Sequence, residues 1–434
     1  KAIGLQEEKM KILAAALFIA TYISLLAFPK KRAHIAIASA CIFVILGATG
    51  VLAQVNVFTA IDWNVIMMIA GTMGVVSLFI ESKMPSKMAD YIIEKSPNVK
   101  WTMIALALFA GIVSAFIDNV ATVLMIAPVA LTISKKLNIS PVPCIIAISI
   151  SSNLQGAATL VGDTTSILLA GEAEMNFVDF FWFEGKPGLF WVVEISAILT
   201  VFILLVLFKR FKQPISSMER TRVTDYFPTV LLAGIIVLLI IASFIQSKPA
   251  VTNGLICIGL MIIGLIRKYI KTKNFDTFAV AFKEIDFTTI LLLAGLFVII
   301  GGIKEAGLIE DIGNAFVKAS RDNLLVMYTL LVWASVLISA VIDNIPYVAT
   351  MLPVTTSIAA TMGIDPSLLY FGLLIGATLG GNITPIGASA NIAGIGILRR
   401  EGHEVGVMEF MKISVPFTLT AVVSGYVLLW MLWR

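Results

Sequence analysis

The chain has 434 residues, 59% of them hydrophobic and only 13% charged, with a formal net charge of +4. Soluble domains carry roughly 25% charged residues, so this composition excludes a soluble globular domain. The apolar runs approach the ~20 residues of a spanning helix and lack period-two alternation, which excludes a barrel. The expected class is an all-α polytopic membrane protein. Cys41, Cys144 and Cys257 each lie in an apolar run, which reads as packing rather than a disulfide framework or metal site. His34 and His403 are the only histidines and stand far apart, so no histidine-centred metal or catalytic cluster is expected. The positive charge needs no nucleic-acid partner, because basic residues of membrane proteins gather on cytoplasmic loops.

Residues 12–28 form the first apolar run, closed by Pro29-Lys30-Lys31-Arg32, and 33–54 the second. No small-residue cleavage site closes the first run, so a cleavable signal is not expected. The third run, 64–80, follows Ile61-Asp62-Trp63 and leads into a mixed stretch, 81–100, read as lying along the membrane surface. Residues 101–136 are two apolar arms meeting at Asp118-Asn119, a pattern for a re-entrant hairpin that two short spans would also give. Residues 141–171 read as a helix broken by Gly156 and Gly162, followed by an acidic loop at 172–187 and a span at about 189–208. The first half closes with a basic stretch running from Lys209 through Arg220 to Arg222. The second half repeats the plan: spans near 228–246, 251–266 and 288–303, a hairpin at 324–360, a broken helix at 367–398 and a last span at 411–433.

The correspondence is literal. SAFIDNVATVLMIAPV at 114–129 returns as SAVIDNIPYVATMLPV at 339–354, a constant shift of 225 positions. Gly156, Thr159, Gly162 and Gly171 align at the same shift with Gly381, Thr384, Gly387 and Gly396. The expected units are residues 1–222 and 223–434. With the N-terminus outside, about ten spans plus two hairpins returning to their own side place 22 of the 31 basic residues in the cytoplasm. Five spans then separate each element from its copy, so the repeats are expected to be inverted, a plan typical of secondary transporters with broken helices near midplane.

Asp118 and Asp343 lie between apolar arms, where a charge costs about 2.5–3.5 kcal/mol on insertion scales. Both are candidate ion sites, and both are also good N-caps, roles that are compatible. Asn119 and Asn344 stand beside them. The glycines Gly162, Gly381 and Gly387 would let backbone unwind toward a ligand, or else let helices pack closely. Thr159, Thr164, Ser166, Asn382, Thr384, Ser389 and Asn391 are polar groups in the same broken helices that need partners. With Asn119, Gly162, Asn344, Gly381 and Gly387 they are the expected substrate- or ion-binding positions, between the two tips and the two broken helices. Asp163 aligns with Ala388, so the two half-sites differ chemically; at membrane depth Asp163 is a further candidate for proton or cation binding, and near the interface a solvated or capping carboxylate. Asp62 and Asp286 read as caps at the starts of spans, without a transport role. Trp101, Trp182, Trp191, Trp430 and Trp433 lie near span ends, where an aromatic belt is expected.

The duplicated Ile-Asp-Asn strings with Pro128 and Pro353 downstream resemble the ion transporter superfamily. So do Ala158-Thr159-Leu160-Val161-Gly162-Asp163 and the string from Gly380 to Asn391. The resemblance covers nearly the whole chain. It is nearest to the branch with arsenite/antimonite permeases, P-protein-like permeases, citrate–metal carriers and D-type sodium/proton antiporters, and more distant from the divalent anion–sodium symporters. It implies hairpins and broken helices forming a transport domain that slides against a scaffold, in a homodimer.

The expected function is therefore a secondary active transporter of a small ion or anionic solute, coupled to protons or sodium. Alternatives are a sodium/proton antiporter without organic substrate, an arsenite efflux permease, or a channel. No enzyme and no cofactor are expected. A sodium ion is considered at Asp118, Asn119, Asp343 and Asn344. The expected location is a prokaryotic-type plasma membrane with basic loops cytoplasmic.

Overall fold

The computed structural model describes residues 2–214, 221–273 and 285–434; Arg220 of the basic stretch lies outside the described residues. The first repeat runs α1 (Ala2–Ala27), α2 (Arg32–Ala48), the single turn α3 (Val57–Ala60), α4 (Trp63–Glu81), α5 (Met84–Lys95), α6 (Val99–Ser114), α7 (Asn119–Leu137), α8 (Val142–Gly156), α9 (Thr164–Glu172) and α10 (Leu189–Leu207). The second runs α11 (Phe227–Ser243), α12 (Thr252–Thr272), α13 (Phe287–Glu305), α14 (Leu308–Ser320), α15 (Leu324–Ser339), α16 (Asn344–Met362), α17 (Ser367–Gly380), α18 (Ser389–Arg400) and α19 (Val407–Trp433). Helices α15 to α18 each begin 225 positions after α6 to α9. The caps repeat too. Asn98 accepts the Trp101 N–H at 3.2 Å as Asn323 accepts that of Val326 at 3.1 Å. Asp62 caps Val65 at 3.0 Å as Asp286 caps Thr289 at 3.1 Å. An N-cap oxygen satisfies one of the orphan N–H groups at a helix start, so these residues set where each span begins.

The chain is an all-α polytopic membrane protein. Nine of the described helices are long and apolar enough to cross a bilayer, ten if α14 and α15, bent by 118°, count as one span. Helices α7 and α16 are among the nine, so each hairpin has a 16-residue first arm and a 19-residue second arm.

The structure adds elements to the sequence reading. The second half carries its own surface helix, α14, whose Ile309, Gly313 and Val317 are buried at four-residue spacing, the counterpart of α5 with Pro85, Ala89 and Ile93. That spacing puts the three on one face. The acidic loop holds a two-stranded antiparallel hairpin, β1 (Trp182–Phe183) on β2 (Lys186–Pro187). Its turn uses Glu184 and Gly185, both at positive φ as a type I′ turn requires. Trp433 is not a belt residue: it is buried, stacks among Phe183 and Phe371, and donates to the Pro187 carbonyl at 3.1 Å.

The helices pack as two bodies that each draw on both repeats. In one, α4 packs on α12 and α13 on α2, with α1 and α11 outside them. Glycines allow the close approach: a Cβ on Gly71 would fall 2.4 Å from the Cys257 carbonyl carbon, and one on Gly295 would fall 2.7 Å from that of Ala36. In the other body, α6 packs on α8, α15 on α17, and α10 on α19, with α18 crossing to α7 and α8. Contacts between these two sets of helices are sparser, chiefly α9 on α4 and α16 on α13, and the surface helices α5 and α14 pack on α7 and α16 while also touching α4 and α13.

Gly162 and Gly387 each close a break against the preceding hairpin. A Cβ would lie 2.5 Å from the Gly156 carbonyl oxygen and 2.6 Å from that of Ser114 in the first case, and 2.6 Å and 2.7 Å from those of Gly381 and Ser339 in the second. Backbone cannot give way as a side-chain end can. Gly162→Ala and Gly387→Ala are each expected to cost about 1–3 kcal/mol, read as a lower thermal midpoint in detergent, as overpacking does. Gly396→Ala, inside α18 where a Cβ meets nothing within 4 Å, should leave the midpoint no lower and raise it slightly through helix propensity.

Candidate functional site

The two broken helices are built alike. Helix α8 stops at Gly156 and the chain runs non-helically to Asp163 before α9; α17 stops at Gly380, makes a short turn over Gly381–Ile383 and resumes at Ser389. Interrupted backbone inside an apolar body must find hydrogen-bond partners. The Thr159 hydroxyl donates to the Ala115 carbonyl, and the Thr384 hydroxyl to that of Ala340. Asn391 donates to the Gly381 and Thr384 carbonyls, both at 3.1 Å. Ser339 donates to the Ala377 carbonyl at 2.5 Å.

Between the breaks runs a buried network. Asn119 of the first hairpin tip donates to Asn153 at 2.9 Å, and Asn153 donates onward to the Thr378 carbonyl at 2.7 Å and to Asn382 at 3.1 Å. Asn382 returns a bond to the Ile150 carbonyl at 2.9 Å. The Thr165 hydroxyl lies 3.0 Å from that of Thr378 and donates to Asp163 at 2.9 Å. Asn153 and Thr378 are equivalent positions of the repeat, so the pseudo-two-fold axis passes where the two touch.

The tips are treated differently. One Asp118 carboxylate oxygen accepts the N–H groups of Val120 and Ala121 at 3.0 and 3.1 Å. Asp343 accepts the Ile345 N–H at 3.2 Å on one oxygen, and on the other takes the Ser389 hydroxyl at 3.0 Å and the Arg32 guanidinium at 2.8 Å. Nearby, Tyr22 donates to the Pro346 carbonyl at 2.7 Å and meets the Thr350 hydroxyl. Arg32 and Tyr22 belong to the body of α1 and α2, and the tip they hold belongs to the other.

A cavity of about 230 Å³ lies where the tips, the breaks and the α4 wall meet. Asp118, Asn119, Asp163, Thr164, Asn344 and Ser389 line it. Its charged lining is acidic only, since the remaining charged group is Asp286. A second cavity of about 280 Å³ sits at the pseudo-symmetric place, bounded by Asp62 and by the α13 wall. The walls correspond one to one: Met73, Val76, Ser77 and Ile80 in the first, Phe297, Ile300, Gly301 and Lys304 in the second. What faces them is shifted along the arm, overlapping only at Leu124 and its equivalent Ala349. The first wall faces Asp118 to Leu124, whereas the second faces Ala349, Leu352 and Pro353, the equivalents of Leu124, Ala127 and Pro128.

The other sequence candidates fall elsewhere. Thr159, Thr384, Asn382 and Asn391 hold the breaks together, and Gly162, Gly381 and Gly387 are sites of close approach. Ser166 is buried with its hydroxyl unbonded. Asp343 stands behind Ser389. Asp286 is the cap it was expected to be and also reaches the cavity. Sequence reasoning passed over Asn153, Thr165, Thr378, Tyr22 and Arg32. Asn153 and Thr165 could have been found as polar residues inside the repeated strings. Nothing in the sequence joins Arg32 to a residue 311 positions away.

Comparison with known proteins agrees with this architecture. The family model described as citrate transporter, CitMHS, matches residues 16–376 and 277–434. An uncharacterised transporter of Mycobacterium tuberculosis is 30% identical over 431 residues, covering 97% of this chain and 99% of that protein. The human P protein is 27% identical over 446 residues, covering 84% of this chain and 53% of the P protein. Among solved structures, the Alcanivorax borkumensis YdaH transporter shares the fold with a TM-score of 0.58 at 16% identity, covering 85% of this chain and 84% of that one. The repeated breaks and tips thus belong to a membrane transport protein rather than an enzyme, and the chain is a member of the citrate transporter family, CitMHS, within the ion transporter superfamily.

Proposed function

We propose that this protein is a secondary active transporter that carries its solute by an elevator-like slide of one body against the other, coupled to sodium or protons. The observation that carries the reading is the offset between the two cavities. Equivalent positions of the two scaffold walls face segments about six residues apart along equivalent arms, a displacement of ~9 Å at 1.5 Å per residue. Two repeats related by a two-fold axis would face their walls identically at the midpoint of a slide, so an offset of this size marks one end of it. The sparse contact between the bodies supports the same motion.

The orientation read from lysines and arginines puts the C-terminal end of α4 and the start of α13 at the cytoplasm. Under it, the repeats are inverted and the cavity at Asp118 opens inward. The ligand contacts proposed are Asp118, Asn119, Asp163 and Thr164 from the first half, with Asn344 and Ser389 from the second. The acidic lining disfavours a bare anion. It favours a cation, or an anionic solute that arrives together with its cation, which suits the family description. A homodimer remains the expected assembly.

The reading is tested in proteoliposomes with citrate, succinate, arsenite, phosphate and sodium under imposed pH and sodium gradients. Saturable flux that reverses with the gradient is expected; uncoupled ohmic current would replace the carrier by a channel. Asp118→Asn keeps the cap and removes the charge, so it should fold and lose driven uptake by about tenfold or more, as loss of a buried ion's partner does. Cysteines placed singly at Lys136 and Asp322 should react with an impermeant reagent from opposite sides. Accessibility of both from one side would overturn the inverted topology.

A further inference from the structure

The second half-site contains a cation supplied by the protein itself. Arg32, the first residue of α2, places its guanidinium 2.8 Å from Asp343, a carboxylate that is 3% exposed. Among the described residues, no basic side chain pairs with Asp118 or Asp163.

The repeat itself does not call for this charge. Helix α2 meets α13 as α12 meets α4: Ala36 lies against Gly295 as Cys257 lies against Gly71, and Phe43 against Gly302 as Gly264 lies against Leu78. Carried along that register, the place of Arg32 falls to Asn253 in α12. Asn253 is a neutral amide, 7% exposed, whose carbonyl oxygen has no partner. A guanidinium in one half and an amide in the other cannot be explained by packing, which the two halves share.

Arg32 also stands on the opposite body from Asp343. A slide of the size read from the cavities parts them, and Asp343 then sits buried without its counter-charge unless an external cation or a proton takes the place of the arginine. We propose that Arg32 is a tethered cation that displaces the coupling ion from Asp343 when the moving body reaches the position seen here, so that the ion is discharged on this side. Asp118, opposite an amide at the far end of the slide, has no such displacing group. The proposal rests on the carrier reading above and adds to it a residue outside the ligand-lining set.

The test separates net transport from exchange. Arg32→Gln should lower uptake driven by a sodium or a pH gradient, measured separately, by about tenfold or more, because the ion is no longer expelled from a buried carboxylate. Solute counterflow with the same ion saturating on both sides should persist, since exchange needs no discharge. The gradient that loses its drive identifies the ion. Arg32 makes a single contact with Asp343, so Arg32→Lys should restore most of the driven uptake, whereas a purely architectural arginine would fail as lysine too. Equilibrium binding of radioactive sodium and proton uptake by purified protein provide a readout that needs no flux. Arg32→Gln should bind one more cation than wild type, and Arg32→Gln with Asp343→Asn should return to the wild-type count. Unchanged driven uptake with an unchanged cation count in Arg32→Gln would overturn the proposal while leaving the carrier reading intact. Absence of saturable flux in wild type would instead remove the carrier reading.

Discussion

Backbone polarity at depth is the constraint from which the rest of this structure follows. A helix that stops inside an apolar body leaves N–H and C=O groups with no water to turn to, each costly to leave unpaired. Here two helices stop in that way, at Gly156 and Gly380, and each break is closed by groups from the hairpin before it. Thr159 and Thr384 tie the breaks to the ends of α6 and α15, and Asn391 spans the second break from within. Glycine at 162 and 387 lets the chain come near enough for those bonds to form. Hairpin and broken helix are therefore tied into one unit in each half.

The charged groups are handled by a different rule. Aspartates at the tips are held by free N–H groups at helix starts, which serve equally well as caps and as one side of an ion site. Their remaining oxygens distinguish the halves: one set faces a cavity, the other meets an arginine from across the body boundary. Symmetric backbone with asymmetric charge leaves the two half-sites electrostatically unequal.

Much of this was legible in the chain. The duplicated Asp-Asn pair, the aligned glycines and threonines and the Ile-Asp-aromatic approach at 61–63 and 285–287 located the aspartate caps and both breaks, because caps and breaks are set locally, while the asparagine caps Asn98 and Asn323 went unread. The site itself was less legible. Thr159, Thr384 and Asn391 read as ligand groups, and here their side chains bond backbone carbonyls at the breaks, a role that the aligned spacing alone does not reveal. The surface helix α14 escaped notice because its apolar residues, Leu308, Ile309, Ile312, Phe316 and Val317, are interspersed with Glu310, Asp311 and Lys318 and form no continuous run. The Arg32–Asp343 pair and the mismatch of the cavities depend on how two bodies are docked, and docking leaves no local signal in the sequence.

Asn153 touches Thr378, the same position in the other repeat. A contact at equivalent positions joins the two halves at the one place where like would meet like if the halves were the same. Asparagine on one side and threonine on the other make that seam heterotypic, so a substitution at 153 or at 378 alters one side of the contact only.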